Sequence, residues 1–184
     1  MPTEFEAKIL NVDPAAMTDL IVSRGGRQVA APTLQRRYVY DIVPGDQSRW
    51  IRLRASGHAT TIAVKQVAHD GIDGTHEVET AVDSFGAAHE LLGMLGFGAK
   101  GYQENRRTSF LLDGAQLEID EWPLVPPYLE IEASSPEQVV HIAERLGYAP
   151  EALTSENTTK VYARYGIDLA GHSQLRFVDP TAAQ

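Results

Sequence analysis

Residues 3–10 alternate strictly: Glu4, Glu6 and Lys8 fall on one parity, Phe5, Ala7 and Ile9 on the other. A period of two is the mark of a strand with unlike faces. Segments of the same character recur at 35–43, 48–55, 60–67 and 75–82, all rich in β-branched and aromatic residues. Pro44-Gly45-Asp46, Ser56-Gly57-His58 and the stretch 70–74 separate them. Links this short predict antiparallel neighbours. Further strands are expected at about 99–112, 115–121 and 128–133, with a turn at Gly114 and a rigid turn from Pro123 to Pro127.

Helical spacing interrupts this pattern. Asp13 caps a first helix, Pro14 suits its first turn, and Gly25-Gly26 stops it. Asp83 or Ser84 caps a second helix over about 84–95, with Leu91, Leu92 and Leu95 expected inward. A third begins at Ser135-Pro136-Glu137 and buries Val139, Val140, Ala143 and Leu146. A short fourth helix, about 155–165, ends at Gly166, and the tail beyond 170 reads as loop, with Leu175 and Phe177 able to dock. The whole is α+β: about eight strands, mostly antiparallel, forming a large curved sheet or a closed barrel with flanking helices. The chain reads as one domain over 1–184, with a core at about 3–165 and a C-terminal tail at 166–184.

The polar parity is not ordinary. Acid–apolar–acid triplets recur at Glu4/Glu6, Glu77/Glu79, Glu118/Asp120 and Glu130/Glu132, and Arg52 and Arg54 flank Leu53. A solvated sheet face would explain any one of these pairs. The full set is harder to explain that way, because like charges two apart repel unless a counter-ion sits between them. A divalent metal can bridge carboxylates, and phosphate can bridge arginines. Arg37 shares a face with Asp41, so it either pairs with that acid or reaches a ligand.

The chain has 184 residues, 43% of them hydrophobic, enough for a sizeable core. A net charge of −9 with no basic tail argues against nucleic acid as a partner. No apolar run is long enough to span a membrane, and no secretory leader is recognisable after Met1-Pro2-Thr3. The absence of cysteine excludes disulfides and thiolate metal sites and fits a cytoplasmic protein. His58, His69, His76, His89, His141 and His172 have no metal-ligand spacing and read as surface or structural residues. Trp50 and Trp122 are expected to pack between sheet and helices, base stacking being the less favoured role.

In order along the chain, TEFEAKIL, LQRRYVYD, RWIRLR, TIAVKQ, HEVET, YQENRRTSF and LEIDEWPLVPPYLEIEA resemble the CYTH domains, the triphosphate tunnel metalloenzymes. The resemblance implies an eight-stranded antiparallel β-barrel enclosing a tunnel, with Mg²⁺ or Mn²⁺ as cofactor. It implies metal ligands at Glu4, Glu6, Asp120, Glu130 and Glu132, supported by Glu77, Glu79 and Glu118. It implies phosphate contacts from Lys8, Arg52, Arg54, Lys65 and Arg107, with Lys8, Glu4 and Glu6 catalytic; Arg37 and Lys160 are further candidates for phosphate contact. Asn105 stands where the family's sixth strand often carries lysine, a loss that Arg106 or Lys160 would have to offset. The expected activity is metal-dependent hydrolysis of inorganic or organic triphosphate, by a monomer or homodimer. Cyclisation of ATP to cyclic AMP and non-catalytic polyphosphate or nucleotide binding are the alternatives.

Overall fold

The computed structural model describes residues 2–57 and 59–178. Eight strands carry the fold: β1 (Thr3–Leu10), β2 (Arg27–Asp41), β3 (Arg49–Ser56), β4 (Ala59–Val67), β5 (Thr75–Ala81), β6 (Ala99–Leu112), β7 (Ala115–Trp122) and β8 (Val125–Ala133). They pair antiparallel in the order β2-β3-β4-β5-β1-β8-β7-β6, and β6 returns to β2 and closes the barrel. The β1–β5 seam is the short one, held only at Thr3↔His76 and Glu4↔Thr75. Closure leaves no free edge among these strands, which removes the usual template for edge-to-edge association.

Four helices flank the barrel: α1 (Pro14–Ser23), α2 (Phe85–Met94) and α3 (Pro136–Arg145) outside its wall, and α4 (Thr158–Arg164), which packs on the cavity residues Trp122 and Tyr128. Their starts follow the capping chemistry. Asp13 accepts from the Ala16 N–H at 2.8 Å, Ser84 from Ala87 at 3.2 Å, Ser135 from Gln138 at 3.2 Å and Asn157 from Lys160 at 3.0 Å. Gly25 and Gly96 end α1 and α2 with φ of 93°, a conformation that costs a side-chain-bearing residue. Two short strands complete the sheet: β9 (Leu153–Thr154) on β1, and β10 (Gln174–Leu175), which runs parallel to β6.

The apolar parity of the strands faces out, not in. Ala7, Ile9, Leu117, Ile119, Leu129 and Ile131 are covered by α1 and α3 through Met17, Ile21, Val139 and Ile142. Leu53 and Tyr40 meet α2 at Leu92. Trp122, Tyr128, Val161, Tyr162 and Leu175 form a third cluster beside α4. The hydrophobic core is therefore a sleeve between wall and helices, and the polar parity is left for the barrel interior.

Four local expectations are corrected. β2 starts at Arg27, not at 35, because its long pairing with β6 holds a stretch without alternation in the sheet through two register shifts, at Gln28/Ala30 and Ala30/Thr33. In α2 only Leu92 is buried; Leu91 and Leu95 are 58% and 64% exposed, since the helix rests on one narrow stripe. The β7–β8 turn is only Pro123-Leu124, and Pro126 and Pro127 lie within β8. The tail is not all loop: Leu175, 2% exposed, docks as part of β10.

Replacing Ile131, fully buried in the sleeve, by alanine should lower unfolding free energy by about 3 kcal/mol. Leu95→Ala should change it by less than about 0.5 kcal/mol. Urea denaturation of both variants checks the assignment of the buried faces.

Candidate active site

The barrel encloses a cavity of about 990 Å³. Lys8, Arg37, Arg52, Arg54, Lys65 and Arg107 line it, as do Glu4, Glu6, Glu77, Glu79, Glu118, Asp120, Glu130 and Glu132. Strand parity is what gathers them: Glu4, Glu6 and Lys8, Arg52 and Arg54, Glu77 and Glu79, Glu118 and Asp120, and Glu130 and Glu132 each share the inward face of one strand, whereas Arg37, Lys65 and Arg107 have uncharged neighbours there. Of the residues expected to meet the ligand, Lys160 is not brought to the cavity. Its ammonium pairs with Asp70 at 2.5 Å, both side chains half exposed, because α4 turns that side outward. Arg106 is also outside, its guanidinium 4.1 Å from the Phe177 ring centroid. Neither replaces the cation that Asn105 lacks.

The interior charges answer one another. Lys8 sits 3.2 Å from Glu6 and 3.1 Å from Glu130. Lys65 bridges Glu4 and Glu77, both at 2.9 Å. Arg52 reaches Glu77 at 2.6 Å and Glu79 at 2.8 Å, and Arg54 reaches Glu79 at 3.1 Å. Arg107 grips Asp120 with two nitrogens, Nε at 2.8 Å and Nη2 at 2.5 Å, and also contacts Glu118 and Glu130. The alternative pairing of Arg37 with Asp41 is not adopted: Asp41 takes Lys100 at 2.5 Å instead.

Burial sets these groups apart in acidity. Burial, a hydrogen bond shared with Glu77 and the neighbouring Glu6 push Glu4 up to about 8. Burial opposes ionisation of Glu77 too, but the shared hydrogen bond, Arg52 and Lys65 more than offset it and hold Glu77 down at about 2. Glu130 is buried as well, yet Lys8 and Arg107 keep it well below the usual carboxylate range. Glu132 is raised by burial and by Glu130, Glu6 and Glu118. It has no ion pair among the described residues. Burial, Arg52 and Arg107 lower Arg54 to about 10.

The donor set suits a hard divalent cation in its chemistry, being carboxylate oxygen throughout. Burial and neighbouring carboxylates raise Glu132, which has no ion pair among the described residues, so a cation beside it would be favoured. Among the described residues, however, no three acidic or histidine side chains stand grouped for chelation, because lysines and arginines lie between them. Asp120, with no exposed surface, is already taken by Arg107 and Asn105. It therefore stands as an ion-pair partner more than as an open ligand.

Parity also brings in uncharged side chains, of which Gln35 and Tyr128 were not expected at the site. Gln35 shares a face with Arg37, Asn105 with Arg107, Trp50 with Arg52, Trp122 with Asp120 and Tyr128 with Glu130, and all but Asn105 line the cavity. Trp50 is thus a cavity residue and not packing between sheet and helices. Trp122 does both, lying edge-on to Tyr162 beside α4 while its face carries Arg37. Asn157–Thr159 and Asp168–Ala170 also line the cavity, from segments with no period that could announce it. Of the histidines, His172 lines the cavity and His89 hydrogen-bonds the Tyr40 hydroxyl outside the barrel. His58 lies outside the described residues.

An enclosed antiparallel barrel with facing rows of acids and bases defines a class of tunnel proteins. The chain belongs to the CYTH family: the CYTH domain model matches residues 3–162. Enzymes of this triphosphate tunnel family are metal-dependent. Among solved structures, PH1012 of Pyrococcus horikoshii OT3 aligns with a TM-score of 0.72 at 22% identity, over 84% of this chain and 96% of that one. A proposed adenylate cyclase from Vibrio parahaemolyticus aligns with a TM-score of 0.73 at 13% identity, over 88% and 98%. HpAC1 from Hippeastrum, a proposed adenylyl cyclase described as having dominant triphosphatase activity, aligns with a TM-score of 0.59 at 19% identity, over 94% and 100%. At these identities the likeness is one of fold. No curated protein matches. Among the described residues no helix is long and apolar enough to cross a membrane.

The displaced acidity of Glu4 bears on stability. Between its ordinary 4.5 and about 8 the folded protein holds a proton that the unfolded chain has released. Stability contributed by Glu4 is therefore lost as pH rises through that window. In metal-free buffer the melting temperature should fall from about pH 5 to 8, and Glu4→Gln should flatten the slope. Scanning calorimetry of both proteins checks the sign.

Proposed function

We propose that this protein hydrolyses a triphosphate within its barrel, with Mg²⁺ or Mn²⁺ as cofactor. The observation that carries the reading is a set of buried donors without acceptors. The Nε groups of Arg37, Arg52 and Arg54 are all buried in the wall of one cavity, and among the described residues none has a hydrogen-bond partner. A buried guanidinium N–H left unsatisfied is costly unless an anion arrives to accept from it. Phosphate oxygens fit that need, and guanidinium forks suit them in geometry. The triphosphatase activity described for HpAC1 supports the same chemistry.

In this reading Arg37, Arg52 and Arg54 hold non-bridging oxygens, while Lys65 and Arg107 neutralise charge along the chain of phosphates. Glu4, Glu6, Glu130 and Glu132 would hold the metal, with Glu77, Glu79, Glu118 and Asp120 keeping the cations aimed. The metal supplies charge neutralisation and a more acidic bound water. Lys8, 2% exposed and held between Glu6 and Glu130, stays protonated and orients the attacking water or a phosphate oxygen. Water oxygen bonds to the terminal phosphorus, the bridging P–O bond breaks, and phosphate departs. No protein nucleophile is needed.

Incubation with inorganic triphosphate and Mg²⁺ or Mn²⁺ should release phosphate at neutral to alkaline pH. With ATP as substrate, chromatography should find ADP and phosphate, not cyclic AMP and pyrophosphate. Arg52→Gln should lower kcat/KM by about 100-fold, whereas Lys160→Ala should leave it within about twofold. Absence of phosphate release with both metals would refute the assignment.

A further inference from the structure

Arg37 differs from every other cation of the bore. Lys8, Arg52, Arg54, Lys65 and Arg107 each have a carboxylate within 3.1 Å. Among the described residues Arg37 has none, although it is only 7% exposed. Its contacts are neutral. Nη2 donates to Gln35 Oε1 at 3.2 Å and to Asn105 Oδ1, and the guanidinium lies 4.6 Å from the Trp122 ring centroid. Nε has no acceptor. Directly across the ladder stands Arg54, the Cα partner of Arg37 on β3, so two like charges face each other. Burial, then Arg52, Arg54 and Arg107, push Arg37 down to about 9.

Amide oxygens and an aromatic face can orient a guanidinium but cannot neutralise it. Asn105 is itself held, because its Nδ2 donates to Asp120 Oδ1 at 2.8 Å, which leaves Oδ1 turned toward Arg37. The chain Arg107–Asp120–Asn105–Arg37 thus fixes the direction of a cation whose charge is left uncompensated. A buried unpaired charge is strongly unfavourable unless something supplies its counter-charge.

We propose that Arg37 is the anchor for one phosphoryl group of the substrate, aimed by Asn105 as a positioning residue, so that β2 supplies the cation that β6 lacks. The inference rests on the triphosphate reading above and deepens it. The free Nε–H and the remaining Nη hydrogens form a fork open to two oxygens, with Arg54 alongside. A lysine ammonium at this place would offer a point charge and no fork.

The test is metal-free binding of inorganic triphosphate by calorimetry, which needs no turnover. The wild-type protein binds, and Arg37→Gln weakens binding by at least about tenfold. Arg37→Lys recovers only part of the loss. The double variant Arg37→Gln/Asn105→Lys, which returns the charge from the neighbouring strand, binds at least about fivefold more tightly than Arg37→Gln alone. Far-UV circular dichroism establishes that each variant is folded, and Arg37→Lys decides the matter where Arg37→Gln does not fold. Wild-type binding with an unchanged affinity for Arg37→Gln, or for Arg37→Lys in its place, overturns the anchor and leaves the triphosphate reading standing. Wild-type protein that binds no triphosphate overturns both. A double variant no tighter than Arg37→Gln overturns the exchange of a cation between β6 and β2.

Discussion

The bore of a closed barrel has no solvent face on which to discard charge, and fourteen-odd ionisable groups pointing inward must therefore compensate one another. That demand organises the site. Lys8 is shared by Glu6 and Glu130, Lys65 by Glu4 and Glu77, and Arg107 by Glu118, Asp120 and Glu130. Each lysine or arginine of this kind ties different strands together, so the electrostatics also fix where neighbouring strands present their side chains. The compensation is uneven. Among the described residues Glu132 is left without a cation and Arg37 without a carboxylate. A polyanion arriving with a divalent cation carries both missing signs.

The apolar half of each strand obeys the complementary constraint. A small barrel filled with leucine and valine would be a solid body; here those residues turn outward and need the helices to cover them. α1 and α3 cover β1, β7 and β8, α2 rests on β2 and β3, and α4 closes against Trp122 and Tyr128. The helices are therefore part of the barrel's solvation and not an added layer. Their caps sit where the chain leaves the sheet and fix the angle at which each helix returns.

Alternation was the legible feature of this chain. It marked the strands, and it showed that Glu4, Arg52, Glu77 and Glu130 belong to one kind of face. The choice between an outer and an inner face was not legible, because period two is the same for both. The same parity contained Gln35 and Tyr128, which were passed over because uncharged side chains do not stand out in such a row, and Trp50, which was expected to pack between sheet and helices. Lys160 was misplaced for the opposite reason. It is a cation near the site in sequence, but its direction depends on how a seven-residue helix packs. The lining from 157–159 and 168–170 depends wholly on tertiary docking, and no local pattern encodes it.

A barrel whose grease lies outside and whose chemistry lies inside separates two kinds of selection. Substitutions in the lumen act through the charge balance, and substitutions under the helices act through the packing of the wall. The charges along the staves can thus be retuned while the cylinder itself persists.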